Sequence, residues 1–294
     1  MFRFKSRMET TVFAAVVLLG MAVFSISARA ATVIETTYAA TGSLATSTVV
    51  IKNEAGADLY KIYYPAALSG NHPIVVWGNG SDADCLDYDA LLTHLASWGF
   101  VVIGNFDTAV GTGEAIIETM NYLVARNGDP ASIFYQKLDV GNIGLAGHSQ
   151  GAGGVVNAAT NFTEGDMVTT LVPVSLPALK WCDAEDIYDT SLVDVPVFFT
   201  RGNGMLDGII APLADVRAAY NALPSGVGAA MGTCKGTDHN TIQGNGGKLR
   251  GYVTAWLRYQ LANDATARNA FAGTSPELPG NTTNWKDVAV KSLP

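Results

Sequence analysis

Short apolar runs alternate with amphipathic stretches along most of this 294-residue sequence, and this alternation limits the possible folds more than any other feature. The amphipathic stretches have helical spacing, and the apolar runs are typical of strands that are buried on both faces. The helical stretches include residues 88–97, 113–126, 212–223 and 249–261, and the apolar runs are residues 48–51, 59–64, 74–77, 100–105, 142–146, 170–174, 197–200 and 228–233. The pattern predicts an α/β protein with a mostly parallel central sheet of about eight strands and helices on both faces.

The N-terminal residues have the composition of a signal peptide. Three basic residues within the first seven positions precede an apolar run at 12–24, and residues 28–30 offer the small side chains that a signal peptidase reads. An uncleaved membrane anchor is the alternative, but the run is shorter than the ~20 residues that span a bilayer. We therefore predict a signal peptide at 1–30 and a secreted or periplasmic product without stable membrane insertion. Residues 31–48 are expected to form a loose lead-in or an edge strand. Because the rest of the sequence has no internal repeat and no linker, we predict one domain over 31–294.

The charge balance bears on partners, and the cysteines bear on redox state. The chain has 18 Lys and Arg against 26 Asp and Glu, without a basic stripe, which argues against nucleic acid or anionic lipid as partner.

In an exported protein we expect one bridged pair and one free thiol among Cys85, Cys182 and Cys234, with Cys182 able to pair with either of the others. No C-x-x-C motif or Cys/His cluster occurs, so no metal site is predicted.

The segment Gly-His-Ser-Gln-Gly at 147–151 fits the G-x-S-x-G pattern. An apolar run leads into it and small residues follow, as expected for a strand, a sharp turn and a helix that packs closely on the sheet. The alternative is that Ser149 is a structural residue in a glycine-rich turn. A dinucleotide-binding turn is rejected, because the glycine spacing is wrong and the turn comes late in the chain. The pattern predicts Ser149 as a nucleophile.

A serine hydroxyl needs a base to accept its proton, and the chain has four histidines. His72 precedes the third strand and His94 lies within an early helix. His148 adjoins the serine too closely to reach its hydroxyl and is expected to pack or to line the pocket. His239 follows the last strand, at the carboxyl edge of the sheet where ligands bind in such folds, and is the predicted base. A histidine in a solvated surface loop is the alternative.

The acid that orients the base should lie between the serine and the histidine in the chain. Asp207 follows the strand 197–200 after a short turn and is the leading candidate. Asp238 is too close to His239 in sequence, and Asp194 precedes the strand at the wrong end. Asp207 is therefore predicted to hold the imidazole in one tautomer and to stabilise the imidazolium, a solvated loop carboxylate being the alternative.

A developing oxyanion needs two backbone N–H groups. The residue after the nucleophile, Gln150, is expected to supply one. The loop after the third strand is expected to supply the other, with Asn79 as first choice and Gly80 as second, because glycines there let the backbone approach a substrate closely.

Three further segments, together with the serine turn, carry a resemblance to a known family. They are residues 61–65, 95–102 and 255–259. With them the chain resembles the branch of the α/β-hydrolase superfamily that contains bacterial cutinase-like polyester hydrolases and related dienelactone-hydrolase-like esterases. The resemblance implies the α/β-hydrolase fold and a serine esterase without cofactor.

The resemblance also bears on individual residues. It places the triad on Ser149, Asp207 and His239 and an oxyanion N–H on Asn79, and it implies that Trp181 flanks the acyl group. The chain departs from polyester hydrolases at two positions. Asn79 stands where they have an aromatic residue, and Gln150 stands where they have Met.

Both departures predict a more polar pocket, with Asn79 and Gln150 around the reacting carbonyl. Acidic loop residues are expected to form a rim that repels anionic substrates. They are Asp82, Asp84, Asp87 and Asp183. We therefore predict a secreted serine esterase that hydrolyses small to medium neutral esters through an acyl-enzyme. A cutinase-like polyester hydrolase, a peptidase or amidase on the same scaffold, and lastly a non-catalytic binding protein are the alternatives.

Overall fold

A computed structural model describes residues 32–294, so the predicted signal peptide lies outside the described residues. The described chain forms one sheet of nine strands. In chain order these are β1 (Thr46–Lys52), β2 (Asp58–Pro65), β3 (His72–Gly78), β4 (Val101–Asn105), β5 (Leu138–His148), β6 (Val168–Val174), β7 (Val197–Gly202), β8 (Ala229–Cys234) and β9 (Trp285–Lys291). Each of the eight predicted runs lies within a strand or starts at most one residue before it, and β9 is an additional strand.

The strand order across the sheet is β1-β2-β4-β3-β5-β6-β7-β8-β9. The six strands from β4 to β8 in this order run parallel, and the pairs β1/β2, β2/β4 and β8/β9 are antiparallel. The predicted mostly parallel sheet is therefore confirmed. Because Gly78 of β3 pairs with Gly147 of β5, the loop that follows β3 lies beside the turn that follows β5.

Helices cover both faces of the sheet. In chain order they are α1 (Val33–Ala39), α2 (Asp89–Ser97), α3 (Glu114–Gly128), α4 (Gln150–Asn161), α5 (Met205–Ile209), α6 (Leu213–Ala222), α7 (Arg250–Ala262), α8 (Ala265–Arg268) and α9 (Glu277–Gly280). None of the helices within residues 32–294 is both long and apolar enough to cross a bilayer.

Alternate side chains of each central strand enter two separate apolar clusters. In β3, Val75 and Trp77 join the cluster covered by α2 and α7, whereas Ile74 and Val76 join the cluster covered by α3, α4 and α6. All four are fully buried. Because each central strand is buried on both faces, successive side chains are all removed from water and are apolar. This explains why these strands are continuous apolar runs in the sequence.

The first described segment differs from its prediction. Residues 31–48 were expected to form a loose lead-in or an edge strand, but α1 precedes the edge strand β1. The carboxylate of Glu277 accepts hydrogen bonds from the backbone N–H groups of Ile34 and Glu35, both at 2.8 Å. These are N–H groups of the first turn, which have no acceptor inside a helix. Glu277, more than 240 positions away, thus stabilises the start of α1. The sequence of residues 31–48 alone could not indicate this contact.

Candidate active site

Ser149 lies on the turn between β5 and α4, with backbone angles φ 54° and ψ −121°. A positive φ is costly for a residue with a side chain, so the turn must be held by its surroundings. A Cβ on Gly147 would overlap the carbonyl oxygen of Gly151, and a Cβ on Gly151 would overlap the carbonyl oxygens of Gly78 and Asn79. Both glycines of the motif are therefore required by close backbone approach.

The side chains of Ser149, His239 and Asp207 lie in a hydrogen-bonded series. His239 Nε2 is 2.8 Å from Ser149 Oγ, and His239 Nδ1 is 2.8 Å from Asp207 Oδ1. His239 begins a short 3-10 helix that follows β8, and Asp207 lies in α5 after β7. Asp207 is fully buried and His239 is 5% exposed. In this arrangement Nδ1–H donates to the carboxylate, and Nε2 faces the hydroxyl as an acceptor.

The second oxygen of Asp207 is also bound. Oδ2 accepts from the hydroxyl of Ser175 at 3.1 Å and from the backbone N–H of Gly202. Ser175 itself has a positive φ of 52° directly after β6. These donors hold the carboxylate in one orientation. Ser175 was not predicted from the sequence, although a polar residue directly after a buried parallel strand falls at the edge where the site lies.

Asp238 connects the two loops that carry the acid and the base. Its carboxylate accepts from the backbone N–H groups of Asp207 and His239, both at 2.9 Å, and of Leu206 at 3.3 Å. Burial opposes its charge, but these hydrogen bonds outweigh burial and lower the pKa of Asp238. This role of Asp238 was not predicted from the sequence, from which it was considered only as a partner of the imidazole.

The structure corrects the expectation for the Asn79 side chain. Asn79 is fully buried and is not among the residues that line the site cavity. Its Nδ2 donates to the side chain of Asn105 at 2.8 Å and to the carbonyl oxygens of Asn105 and Asp107, both at 3.0 Å. The side chain is therefore turned into the protein, and the idea that it makes the pocket polar is wrong. The oxyanion role of the Asn79 backbone N–H remains a prediction.

The other two predicted oxyanion residues lie at the cavity. The N–H of Gly80, the second choice, already donates to the Tyr88 hydroxyl at 3.0 Å. Gln150 is the first residue of α4, where a backbone N–H has no acceptor within the helix. The Gln150 side chain bridges two loops, since Oε1 accepts from Val110 N at 3.2 Å and Nε2 donates to Asp186 Oδ2 at 2.9 Å.

His148 is 2% exposed and hydrogen-bonded through both ring nitrogens. Nδ1 is 2.9 Å from the Tyr88 hydroxyl and Nε2 is 2.9 Å from the carbonyl oxygen of His239. Burial, followed by the neighbouring His239, lowers the pKa of His148 to about 3. It is therefore a neutral ring that connects the loop after β3 with the loop of His239. The role of Tyr88 in this connection was not predicted from the sequence.

A cavity of about 370 Å³ opens beside Ser149. The predicted Trp181, His148 and Gly80 all line it, and Trp181 remains 54% exposed. The indole N–H of Trp181 donates to the carbonyl oxygen of Ile209, at the end of α5. The remaining lining residues are Ser81, Gln150, Gly153, Pro177, Cys182, Asp183, Asp186, Ile210, His239, Asn240 and Gln243.

The acidic rim differs from its prediction. Of the four expected carboxylates only Asp183 lines the cavity. Asp84 and Asp87 instead form a capping box at the 3-10 helix Cys85–Tyr88, and Asp82 does not line the cavity. Asp186, which the sequence analysis did not single out, lines it.

The expected disulfide is also wrong, because all three cysteines are free thiols. Cys85 and Cys234 are buried in one apolar cluster, whereas Cys182 packs against the cluster on the other face of the sheet. Within residues 32–294, no group of three or more His, Cys, Asp or Glu side chains is arranged to hold a metal ion.

Known proteins resemble this chain over most of its length. A family model described as PET hydrolase-like matches residues 29–289. A bis(hydroxyethyl) terephthalate hydrolase of Streptomyces coelicolor is 27% identical over 210 residues, which are 69% of this chain and 62% of that protein. Cutinase 2 of Thermobifida cellulosilytica is 25% identical over 208 residues, 69% of this chain and 73% of its own length. The match thus spans less than two thirds of the Streptomyces hydrolase.

Proposed function

The chain belongs to the PET hydrolase-like family, and on this basis we propose that it is a carboxylic ester hydrolase with Ser149, His239 and Asp207 as its catalytic triad. The observation that carries the proposal is the series of two 2.8 Å contacts from Ser149 Oγ through His239 to Asp207. This geometry supports proton transfer from the hydroxyl to Nε2 while the carboxylate stabilises the imidazolium.

The reaction proceeds by acyl transfer in two steps. Ser149 Oγ attacks the ester carbonyl carbon as its proton passes to His239 Nε2, and the backbone N–H groups of Gln150 and Asn79 stabilise the oxyanion. Collapse of the tetrahedral intermediate breaks the bond to the alcohol, which leaves with the proton from His239. Water then loses a proton to His239, attacks the acyl-enzyme and releases the acid, and Ser149 regains its proton. No cofactor takes part in these steps.

The proposed substrates are small to medium esters without negative charge. A cavity of about 370 Å³ accommodates such esters, and the carboxylates of Asp183 and Asp186 on its wall repel a free carboxylate on the substrate.

A polyester is the second candidate substrate. Trp181 at the cavity is 54% exposed, and it is hydrogen-bonded to α5, where the apolar side chains of Ile209 and Met205 are 48% and 74% exposed. An apolar surface next to a reactive serine suits a polymer chain that extends beyond the scissile ester.

The test is a panel of p-nitrophenyl esters of increasing chain length, a polyester film and matched p-nitroanilides. We expect turnover of the esters and labelling of Ser149 alone by a fluorophosphonate. Ser149→Ala should lower kcat by three or more orders of magnitude, whereas Ser225→Ala, which alters an exposed serine, should leave kcat unchanged. Faster cleavage of anilides would indicate a peptidase or amidase, and binding without turnover of any substrate would indicate a non-catalytic protein.

Export of the mature enzyme is proposed on the basis of residues 1–30, with the secreted medium or the periplasm as its location. Mass spectrometry of protein from these fractions should show a chain that begins at or near Ala31. Recovery of the full-length chain from the membrane fraction would contradict export.

A further inference from the structure

Asp186 lines the cavity although it is only 9% exposed, and its carboxylate packs closely against Gly111 in the loop after β4. It lies in the segment between β6 and β7, and its backbone is fixed by the Nδ2 group of Asn157, which donates to the Asp186 carbonyl oxygen at 3.2 Å. One carboxylate oxygen, Oδ2, accepts from Gln150 Nε2 at 2.9 Å. The position of this buried acid on the cavity wall is therefore well defined.

The charge of Asp186 has no cationic partner in the described part of the chain. Within residues 32–294, the second oxygen, Oδ1, makes no hydrogen bond or ion pair, and Gln150 Nε2 is a neutral donor. No Lys or Arg of these residues lines the cavity. Lys180, the nearest in sequence, instead holds its ammonium over the ring of Trp181, 5.5 Å from the ring centroid. A buried carboxylate with one neutral partner is costly unless a ligand supplies the missing charge.

The effect of the two acids extends across the cavity wall to Cys182. Burial, followed by the charges of Asp186 and Asp183, raises the pKa of the Cys182 thiol to about 11. The contribution of the two acids to this rise indicates a negative potential beside Cys182, and such a potential favours a cation.

We propose that Asp186 makes the cavity selective for esters that carry a positively charged ammonium group. The proposal rests on the esterase function proposed above and refines it, since uncharged esters remain substrates and the ammonium adds binding. A role limited to anchoring Gln150 would affect all esters alike, so the two roles are separable by experiment.

The experiment compares esters that differ only in charge. Butyrylcholine and 3,3-dimethylbutyl butyrate form a pair with the charge on the alcohol, and methyl 4-(trimethylammonio)butyrate and methyl 5,5-dimethylhexanoate form a pair with the charge on the acid. The readout is the ratio of kcat/KM for the cationic ester to that for its neutral isostere. Asp186→Asn keeps an oxygen that accepts from Gln150 and removes the charge. Asp194→Asn is the matched control, because Asp194 is exposed and precedes β7 at the opposite edge of the sheet.

We expect Asp186→Asn to lower this ratio about tenfold in at least one pair, with Asp194→Asn leaving it unchanged. The ratio in the unmodified enzyme should also fall as sodium chloride is added. An equal loss on cationic and neutral esters, or no change of the ratio in either pair, would overturn the proposal while leaving the esterase function intact. Calorimetry of butyrylcholine binding to Ser149→Ala, with and without Asp186→Asn, tests the same selectivity without turnover. If no ester is hydrolysed but binding still depends on Asp186, the esterase function fails and the charge selectivity stands.

Discussion

The hydroxyl of Tyr88 lies 2.9 Å from Nδ1 of His148, and both side chains are buried. The His239 carbonyl oxygen that faces His148 Nε2 can only accept, so the neutral ring carries its hydrogen on Nε2. His148 Nδ1 therefore accepts from the Tyr88 hydroxyl, which itself accepts from the Gly80 N–H. Burial raises the pKa of Tyr88 to about 12, so the phenol keeps its hydrogen at ordinary pH. A continuous series of hydrogen bonds thus connects the loop after β3 with the proposed catalytic histidine.

Replacing Tyr88 by Phe removes the centre of this series. The change leaves the Gly80 N–H and His148 Nδ1 without a partner, and we expect the free energy of unfolding to fall by about 1–3 kcal/mol. Because the loop with the proposed oxyanion donor is released, kcat should fall by about tenfold to a hundredfold with a smaller change in KM. Denaturant unfolding and ester kinetics measure both effects. Unchanged kcat in a folded Tyr88→Phe variant would show that the series does not position the site.

A second prediction concerns Asp238, which holds the N–H groups of Asp207 and His239 together. Asp238→Ala removes the acceptor for both, so we expect a loss of about 1–2 kcal/mol in stability, as for other N-terminal helix caps, and at least a tenfold lower kcat. Asp238→Asn keeps one acceptor oxygen and should recover most of the kcat. Equal activity of the Ala and Asn variants would show that the hydrogen bonds of Asp238 do not position the acid and the base.

Residues whose role is fixed by local pattern could be predicted from the sequence. The run 74–77 lies on a strand buried on both faces, and continuous burial leaves a continuous apolar run. The placement of Ser149, Asp207 and His239 within one site follows from the turn motif and from chain order, because parallel strands bring their carboxyl ends to one edge.

Features that depend on distant partners could not be predicted. β9 is an antiparallel edge strand in which Trp285 alone is buried, and its apolar run is limited to residues 288–290. The direction of the Asn79 side chain is decided by Asn105 at the end of another strand. Asp186 lies in an irregular segment without periodicity, and its position at the cavity depends on Gln150 and Asn157.

A third prediction tests the close backbone approach at the serine turn. A Cβ at position 151 would overlap the carbonyl oxygens of Gly78 and Asn79, so Gly151→Ala must displace either the turn or the loop after β3. We expect a loss of about 1–3 kcal/mol in unfolding free energy and a large loss of kcat, since both proposed oxyanion donors shift. Gly128→Ala at the end of α3, where no atom lies near the added Cβ, should leave both quantities nearly unchanged. A Gly151→Ala variant with normal kcat would contradict the proposed geometry.

A fourth prediction is a loss of stability in mild acid through His94. This side chain is 5% exposed, and its Nε2 is 3.0 Å from the carbonyl oxygen of Tyr38, to which it donates, and 3.1 Å from Thr254 Oγ1. Burial, followed by the charge of Arg250, lowers its pKa from 6.5 to about 4. The unfolded chain therefore binds a proton between these values and the folded protein does not. The contribution to stability is complete above pH 6.5 and is lost as the pH falls toward 4.

The loss through His94 should reach about 3 kcal/mol at the lower end of this range. Buried His148, whose pKa is lowered from 6.5 to about 3, should add a loss over the same range that continues toward pH 3. His94→Gln has no titrating ring and can still donate an N–H to the Tyr38 carbonyl oxygen. This variant should be less stable than the unmodified protein at neutral pH, yet its unfolding free energy should change less between pH 6.5 and 4. Urea unfolding at several pH values measures the difference in slope. Parallel curves for the two proteins would show that His94 takes up no proton on unfolding.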